Sequence, residues 1–183
     1  MKVAEMQRLA LDVRDEVGLD AHEVFDPHLF TNLYGIDVIQ VSTLDCRPEV
    51  MDHFAATRSE VFSGALMPLT SGLAIIENDH HESVRRKSTL FHEIAHVVLE
   101  HKFSARVVSD QGCGATEPEQ EKEAAKFSGE LIIPFEAARK MAWRDLTDEA
   151  VAEFHKISVQ MAGWRMNASG ARKIVSRARR RRG

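Results

Sequence analysis

The chain has 183 residues, of which 44% are hydrophobic and 28% are charged, and its formal net charge is −4 at pH 7. This composition is ordinary for a globular protein, and the length suits one domain with its own hydrophobic core, which excludes a disordered chain. No apolar run approaches the ~20 residues that a membrane-spanning helix requires, so the sequence predicts no membrane association.

Two helices are predicted at the start of the chain. Apolar residues recur with helical spacing over residues 1–17, and Gly18 ends that helix. The pattern is that of an amphipathic helix rather than the continuous apolar core of an export signal. A shorter helix is predicted from Asp26-Pro27 to Gly35.

A small sheet is predicted next. Residues 36–41, 62–67 and 73–77 have the composition of strands, and Pro68, Ser71 and Gly72 predict a hairpin between the last two. Because the rest of the chain is helical, the fold class is predicted as α+β. If one of these strands lies at the edge of the sheet, beside the metal site that the next motif predicts, its backbone could bind an extended peptide by strand addition.

Residues 91–96 read Phe-His-Glu-Ile-Ala-His, an HExxH motif inside an apolar helical stretch. Histidines four residues apart lie on one helix face, so His92 and His96 can bind one cation. Glu93 lies ~100° further around the helix, where its carboxylate can reach a water on that cation. Zinc lowers the pKa of such a water from ~15.7 towards ~7, and a glutamate can accept its proton as it attacks a carbonyl. The motif therefore predicts a zinc-dependent peptidase with Glu93 as the catalytic base.

The alternative is a buried helix whose two histidines are satisfied by hydrogen bonds. The apolar flanks do predict burial, but two imidazoles and a carboxylate are costly to bury without partners or a metal, which favours the metal site. A metzincin pattern is excluded because Leu99 and Lys102 occupy the places of its glycine and third histidine. His101 falls one residue short of the required position, so the third ligand must come from elsewhere.

A downstream helix, predicted to begin near Thr116 and to end before Pro134, offers that ligand. Glu121 falls on the face that carries the small and apolar residues of this helix, whereas Glu123 points ~200° away, towards solvent. Glu121 is therefore the predicted third ligand, and Glu117, one turn earlier, is the second choice. The alternative, a solvated acidic first turn that the helix dipole favours, is the preferred interpretation for Glu117, Glu119 and Glu123.

Two or three further helices are predicted after Pro134. Thr147 begins one, Ser158 caps the next, and that helix ends near residues 169–170. Their spacing is similar to a helix-turn-helix, but the second helix offers few polar or basic side chains, so two helices packed on a core are favoured over groove recognition.

The end of the chain differs in charge. Residues 172–182 hold seven arginines and lysines and no acid, which leaves the remaining residues at a net charge of −11. The sequence predicts one domain over residues 1–171 and a basic tail over residues 172–183, with a solvated, partly disordered end favoured over a nucleic-acid contact. Cys46 and Cys113 are the only cysteines and, without an export signal, predict free thiols in the cytoplasm.

The two helices with the predicted ligands resemble those of the ImmA/IrrE-type metallopeptidases. The resemblance rests on residues 88–101 and 121–134. Similarity extends upstream to residues 25–27 and 34–38, and downstream to residues 157–158 and 164–166, with the two helices as the specific part. It implies a zincin-like fold of the gluzincin kind, in which a small sheet packs on the HExxH helix. It also implies that His92, His96 and Glu121 bind the metal while Glu93 is the catalytic residue. Ala125 stands where the family often has Asn or Asp, a residue that can orient a ligand histidine in related zincins.

The resemblance implies a protein substrate, typically a helix-turn-helix transcriptional repressor whose cleavage derepresses stress or mobile-element genes. The expected cofactor is Zn²⁺, with Mn²⁺ as a possible substitute, and direct nucleic-acid binding is disfavoured. The rival hypothesis is a non-catalytic zinc-binding regulator that grips a repressor or DNA through its C-terminal helices. Tyr34, His80, His81, His155 and Arg165 are the candidates for stabilising the oxyanion of a peptidase reaction.

Overall fold

The computed structural model describes residues 1–52, 62–101 and 117–181, whose contacts form two compact units. One unit comprises Met1–Asp26 and Gly129–Gly183, and the other comprises Pro27–Ser128. Helices and a small sheet together confirm the predicted α+β class. The predicted boundary between a domain at 1–171 and a tail at 172–183 stays a prediction. No helix among the described residues is both long and apolar enough to cross a membrane.

The unit of residues 27–128 holds the sheet and the HExxH helix. Its elements, in chain order, are α2 (Pro27–Leu33), β1 (Asp37–Gln40), a 3-10 turn (Val41–Thr43), α3 (Pro48–Asp52), β2 (Gly64–Leu69), β3 (Gly72–Glu77), α4 (Ser83–Val98) and most of α5 (Pro118–Ile132). The predicted helices and strands are thus confirmed, within a few residues at their ends. Thr116, the predicted start of α5, lies outside the described residues.

The described strands form one sheet in the order β1-β3-β2. β1 runs parallel to β3, with Val38 opposite Ile75, and β2 runs antiparallel to it, with Leu66 opposite the same residue. The predicted hairpin is confirmed, but Pro68 lies inside β2, opposite Leu73, and not in the turn. An edge strand tolerates proline because the missing N–H leaves no partner strand unsatisfied.

The sheet packs closely against α4. Strands β2 and β3 both contact α4. Ala74 and Ile75 of β3 are fully buried, as are Phe91 and Ile94 of α4. At Gly64 of β2 a Cβ atom would lie 2.6 Å from the Thr89 side chain. Only glycine lets the strand approach the helix this closely, and the approach brings β2 alongside the HExxH motif.

The unit of residues 1–26 and 129–183 is helical. Its elements are α1 (Val3–Glu16), the last turn of α5, α6 (Phe135–Trp143), α7 (Asp148–His155), α8 (Val159–Ala168) and α9 (Ala171–Arg180). The side chains of Thr147 and Ser158 accept hydrogen bonds from backbone N–H groups of α7 and α8, which confirms both predicted helix starts. α7 packs against α8, and the preference for core packing over groove recognition stays a prediction.

The basic end of the chain corrects one prediction. Residues 171–180 form α9 and pack against α6, with Val175 buried, where a partly disordered end was predicted. Two ion pairs orient the helix: Arg172 with Asp148 at 2.6 Å and Arg179 with Asp145 at 2.7 Å. The density of arginines suggested solvation, whereas the buried positions four residues apart give the helix an apolar face.

Candidate metal centre

The two histidines of the motif come together on one face of α4. Burial of Leu90, Phe91 and Ile94 fixes which side of the helix faces the core. The Nε2 atoms of His92 and His96 lie 3.2 Å apart, and the two rings meet edge to face at an angle of 70°. Spacing of four residues therefore aims both nitrogens at one point, as the helical geometry requires.

Glu121 on α5 completes the cluster. Its carboxylate oxygens lie 3.0 Å from His92 Nε2 and 3.4 Å from His96 Nε2. Bonds of about 2.0–2.1 Å around a tetrahedral zinc would place the ligand atoms about 3.3 Å apart, close to the spacing found here. Two imidazoles and a carboxylate at this spacing fit a single divalent ion such as zinc. His92, His96 and Glu121 form a potential metal-binding cluster in the described part of the chain.

The other acids of α5 divide as predicted, with one correction. Glu119 is exposed and pairs with Lys122, so the interpretation as a solvated first turn holds there. Glu123 does not point only to solvent, because its carboxylate lies 3.7 Å from His101 Nε2 and its side chain is 35% exposed. Glu121 itself is 41% exposed, so the prediction that its carboxylate is buried is wrong, although the carboxylate does reach both histidines.

The environment of His96 suits a metal ligand. Burial, and then the neighbouring His92, lowers the pKa of His96 to about 4, although the charge of Glu121 acts in the opposite direction. Its imidazole is consequently neutral at pH 7. A neutral ring keeps a nitrogen lone pair available for a cation, which a protonated ring lacks.

Glu93 has the properties of a base held next to the cluster. Burial, and then the charge of Glu121, raises the pKa of Glu93 to about 7, while a hydrogen bond from the Leu66 backbone N–H partly opposes this. The carboxylate is thus placed between the metal ligands and strand β2. A raised pKa in a partly desolvated site is the state expected of a general base that works near neutral pH.

The contact of His101 with the cluster is the feature of the site that sequence reasoning missed. Its Nδ1 lies 3.0 Å from Nδ1 of His96, and the residue is 7% exposed. The spacing of the motif excluded His101 as a direct ligand and predicted no other place for it in the site. A signal was available nonetheless: residues just beyond a helix end often fold back onto its last turn.

The oxyanion candidates lie in varied surroundings. Arg165 is buried, donates from Nε to the Ile133 carbonyl and pairs with Glu130 at 2.6 Å. Its guanidinium group therefore already has structural partners. His155 is buried within the helical unit. Tyr34 is 51% exposed and packs on Phe30. A role for any of these residues in a reaction stays a prediction.

Comparison with protein families gives one match. The model of the family Peptidase_M78, described as the IrrE N-terminal-like domain, matches residues 39–167. This range contains both α4 and α5 and covers more than half of the chain. Comparisons with curated proteins and with solved structures found no match.

Proposed function

Because the chain belongs to the Peptidase_M78 family of metallopeptidases, we propose that it is a zinc-dependent endopeptidase with His92, His96 and Glu121 as metal ligands and Glu93 as catalytic base. The observation that carries this proposal is the convergence of the three ligand atoms, which all lie within 4.8 Å of one another beside Glu93. Two protein imidazoles and one carboxylate leave a further coordination position open, as catalytic zinc sites do.

In the proposed reaction, a bound zinc ion would lower the pKa of a water molecule and polarise the carbonyl of the scissile peptide bond. Glu93 accepts the proton of the attacking water on its carboxylate and returns it to the departing amine nitrogen. The Leu66 N–H holds that carboxylate in place through the hydrogen bond that links it to β2. The positive charge of a bound zinc ion would favour the ionised form of Glu93, against the burial and the Glu121 charge that raise its pKa in the metal-free protein.

The position of β2 supports an extended substrate. In the sheet formed by the described strands β2 is at the edge, and its Leu66 contacts the proposed base. Unpaired backbone groups of an edge strand can hydrogen-bond an added strand. The proposed substrate is therefore a flexible, extended protein segment, and the resemblance to the ImmA/IrrE-type metallopeptidases implies that it belongs to a helix-turn-helix transcriptional repressor. Cys46 is an exposed free thiol and Cys113 lies outside the described residues, so the cytoplasmic location stays a prediction.

Cleavage can be tested with zinc-loaded wild type beside Glu93→Gln, which keeps the shape of the side chain and removes its basicity. Both proteins would be incubated with a library of unstructured peptides and with purified helix-turn-helix repressors, and the products identified by mass spectrometry. We expect cleavage by the wild type and a loss of at least about 100-fold in the variant, in line with removal of a general base. Equal cleavage by both proteins would refute the role of Glu93.

The rival hypothesis, a regulator that binds zinc without catalysis, makes a different prediction in the same experiment. Release of a repressor from its DNA should then survive in Glu93→Gln, because no peptide bond need be cut. Under the proposed function, the variant retains zinc but fails to release the repressor.

A further inference from the structure

We propose that His101 is a positioning residue that holds His96 in the orientation and tautomer needed for metal binding. The proposal rests on the proposed function, since it concerns a ligand of the same metal centre. It assigns a role to a histidine that spacing excludes as a ligand. Three observations carry it: the helix end that places His101, the contact between the two rings, and their shared burial.

The C-terminal end of α4 folds His101 back onto His96. Glu100 adopts a left-handed conformation with φ of 51°, which is uncommon for a residue with a Cβ atom. The His101 N–H then donates to the His96 carbonyl at 3.1 Å, and the Glu100 N–H donates to the Val97 carbonyl at 3.1 Å. These two bonds form a Schellman motif, which closes a helix by turning the chain back over its last turn. The backbone thus fixes where His101 lies.

The two rings face each other through their Nδ1 atoms. Nδ1 of His101 lies 3.0 Å from Nδ1 of His96, and the rings meet at an angle of 73°. His101 is 7% exposed and His96 is 4% exposed, so water has little access to the contact. At this distance one nitrogen must donate a hydrogen and the other must accept it, since two neutral acceptors or two donors would repel.

The direction of this hydrogen bond follows from the cluster. Nε2 of His96 faces His92 and Glu121, so a metal-binding His96 must leave that nitrogen without a hydrogen and carry its hydrogen on Nδ1. His96 Nδ1–H then donates to His101 Nδ1. His101 in turn carries its hydrogen on Nε2, which lies 3.7 Å from the Glu123 carboxylate. Outer-shell partners of this kind orient the ring and raise its basicity as a ligand.

A matched pair of variants separates positioning from packing. Asparagine at position 101 offers an acceptor oxygen close to where Nδ1 lies, whereas leucine fills similar space without one. Zinc affinity would be measured by competition with a chromophoric chelator, with circular dichroism as the check on folding. We expect His101→Leu to weaken zinc binding about 10- to 100-fold. We expect His101→Asn to stay within about threefold of the wild type, on the scale of one retained hydrogen bond.

The tautomers provide a second, direct readout. In zinc-loaded wild type labelled with ¹⁵N-histidine, the ring nitrogen shifts should show a hydrogen on Nδ1 of His96 and on Nε2 of His101. Equal zinc affinity in wild type and His101→Leu would overturn the proposal. A hydrogen on Nδ1 of His101 would overturn it as well. Either result would leave the metal centre intact. Should His101→Leu not fold, the ring nitrogen shifts decide the matter. Failure of the wild type to bind zinc would instead overturn the metal centre, and this proposal with it.

Discussion

The ionisation of Glu93 should make the metal-free protein less stable as the pH rises. Its pKa is raised from 4.5 to about 7 in the folded state, chiefly by burial and then by Glu121. In the unfolded chain the group should titrate near its ordinary value, so the folded state binds more protons between these two values. The free energy of unfolding must therefore fall as the pH rises through this window, because deprotonation stabilises the unfolded state more than the folded state.

The size of the effect follows from the shift. One pKa unit corresponds to about 1.4 kcal/mol, so the raised pKa of Glu93 corresponds to a loss of about 3 kcal/mol of folding stability at pH 8. Because the side chain is only half-buried, solvent screening reduces this loss towards about 2 kcal/mol. Glu93→Gln removes the ionisable group while it keeps the shape and an oxygen for the Leu66 N–H. The variant should thus be more stable than the wild type by about 2–3 kcal/mol at pH 8, and by less than about 1 kcal/mol at pH 5.

The assay is urea unfolding of both proteins after treatment with a chelator, at pH 5, 6, 7 and 8. Glu119→Gln is the matched control, because that carboxylate is exposed and paired with Lys122, and its loss should not stabilise the protein at pH 8. A stability difference between Glu93→Gln and the wild type that is the same at pH 5 and pH 8 would refute the reasoning. It would mean that the carboxylate is not held in a desolvating environment.

Three further predictions address the metal, the fold and the basic helix. His92→Ala and Glu121→Ala should each lose stoichiometric zinc in metal analysis of the purified protein, and retention by either variant would contradict its assignment as a ligand. Arg165→Met should lower the free energy of unfolding by about 3–5 kcal/mol in a urea titration, because it strands the buried partner carboxylate; a loss below about 1 kcal/mol would argue against that ion pair. Lys173 and Arg177 are exposed on α9, and replacing both with serine should leave gel shifts with duplex DNA unchanged at physiological salt. Strong, salt-sensitive binding that the double variant lost would instead support a nucleic-acid partner.

Local patterns in the sequence were enough to locate the candidate site. Histidines at positions 92 and 96 share a helix face whatever the rest of the chain does, because that relation follows from 3.6 residues per turn. The same periodicity selected Glu121 on the next helix, and its carboxylate does reach the histidines, but its predicted burial is wrong because the side chain is 41% exposed. The strands, the hairpin and the caps at Thr147 and Ser158 are likewise short-range features, and the structure contains all of them. The family resemblance added the expected zincin-like fold and is confirmed by the family match.

Contacts between distant residues followed other rules. Pro68 was predicted in the turn that joins the two strands, but β2 lies at the edge of the sheet that the described strands form, where proline is tolerated. The arginines of the last segment suggested a solvated end, yet burial of Val175 and two ion pairs hold α9 against its unit. Burial of Arg165 beside Glu130 likewise depends on a partner 35 positions away, which no local pattern specifies.

The sequence by itself determined that His92 and His96 share one helix face, because that relation is set by helix geometry alone; that Glu121 of α5 reaches them depends on the packing of two helices. Only the tertiary structure decided how the metal centre is supported. The raised pKa of Glu93 depends on the approach of β2 to α4 and on the charge of Glu121. The contact between His101 and His96 depends on the left-handed conformation of Glu100 at the helix end, which glutamate seldom adopts. Desolvation and ring-to-ring contacts exist only once separate elements have packed, and they are therefore not encoded in the spacing of residues.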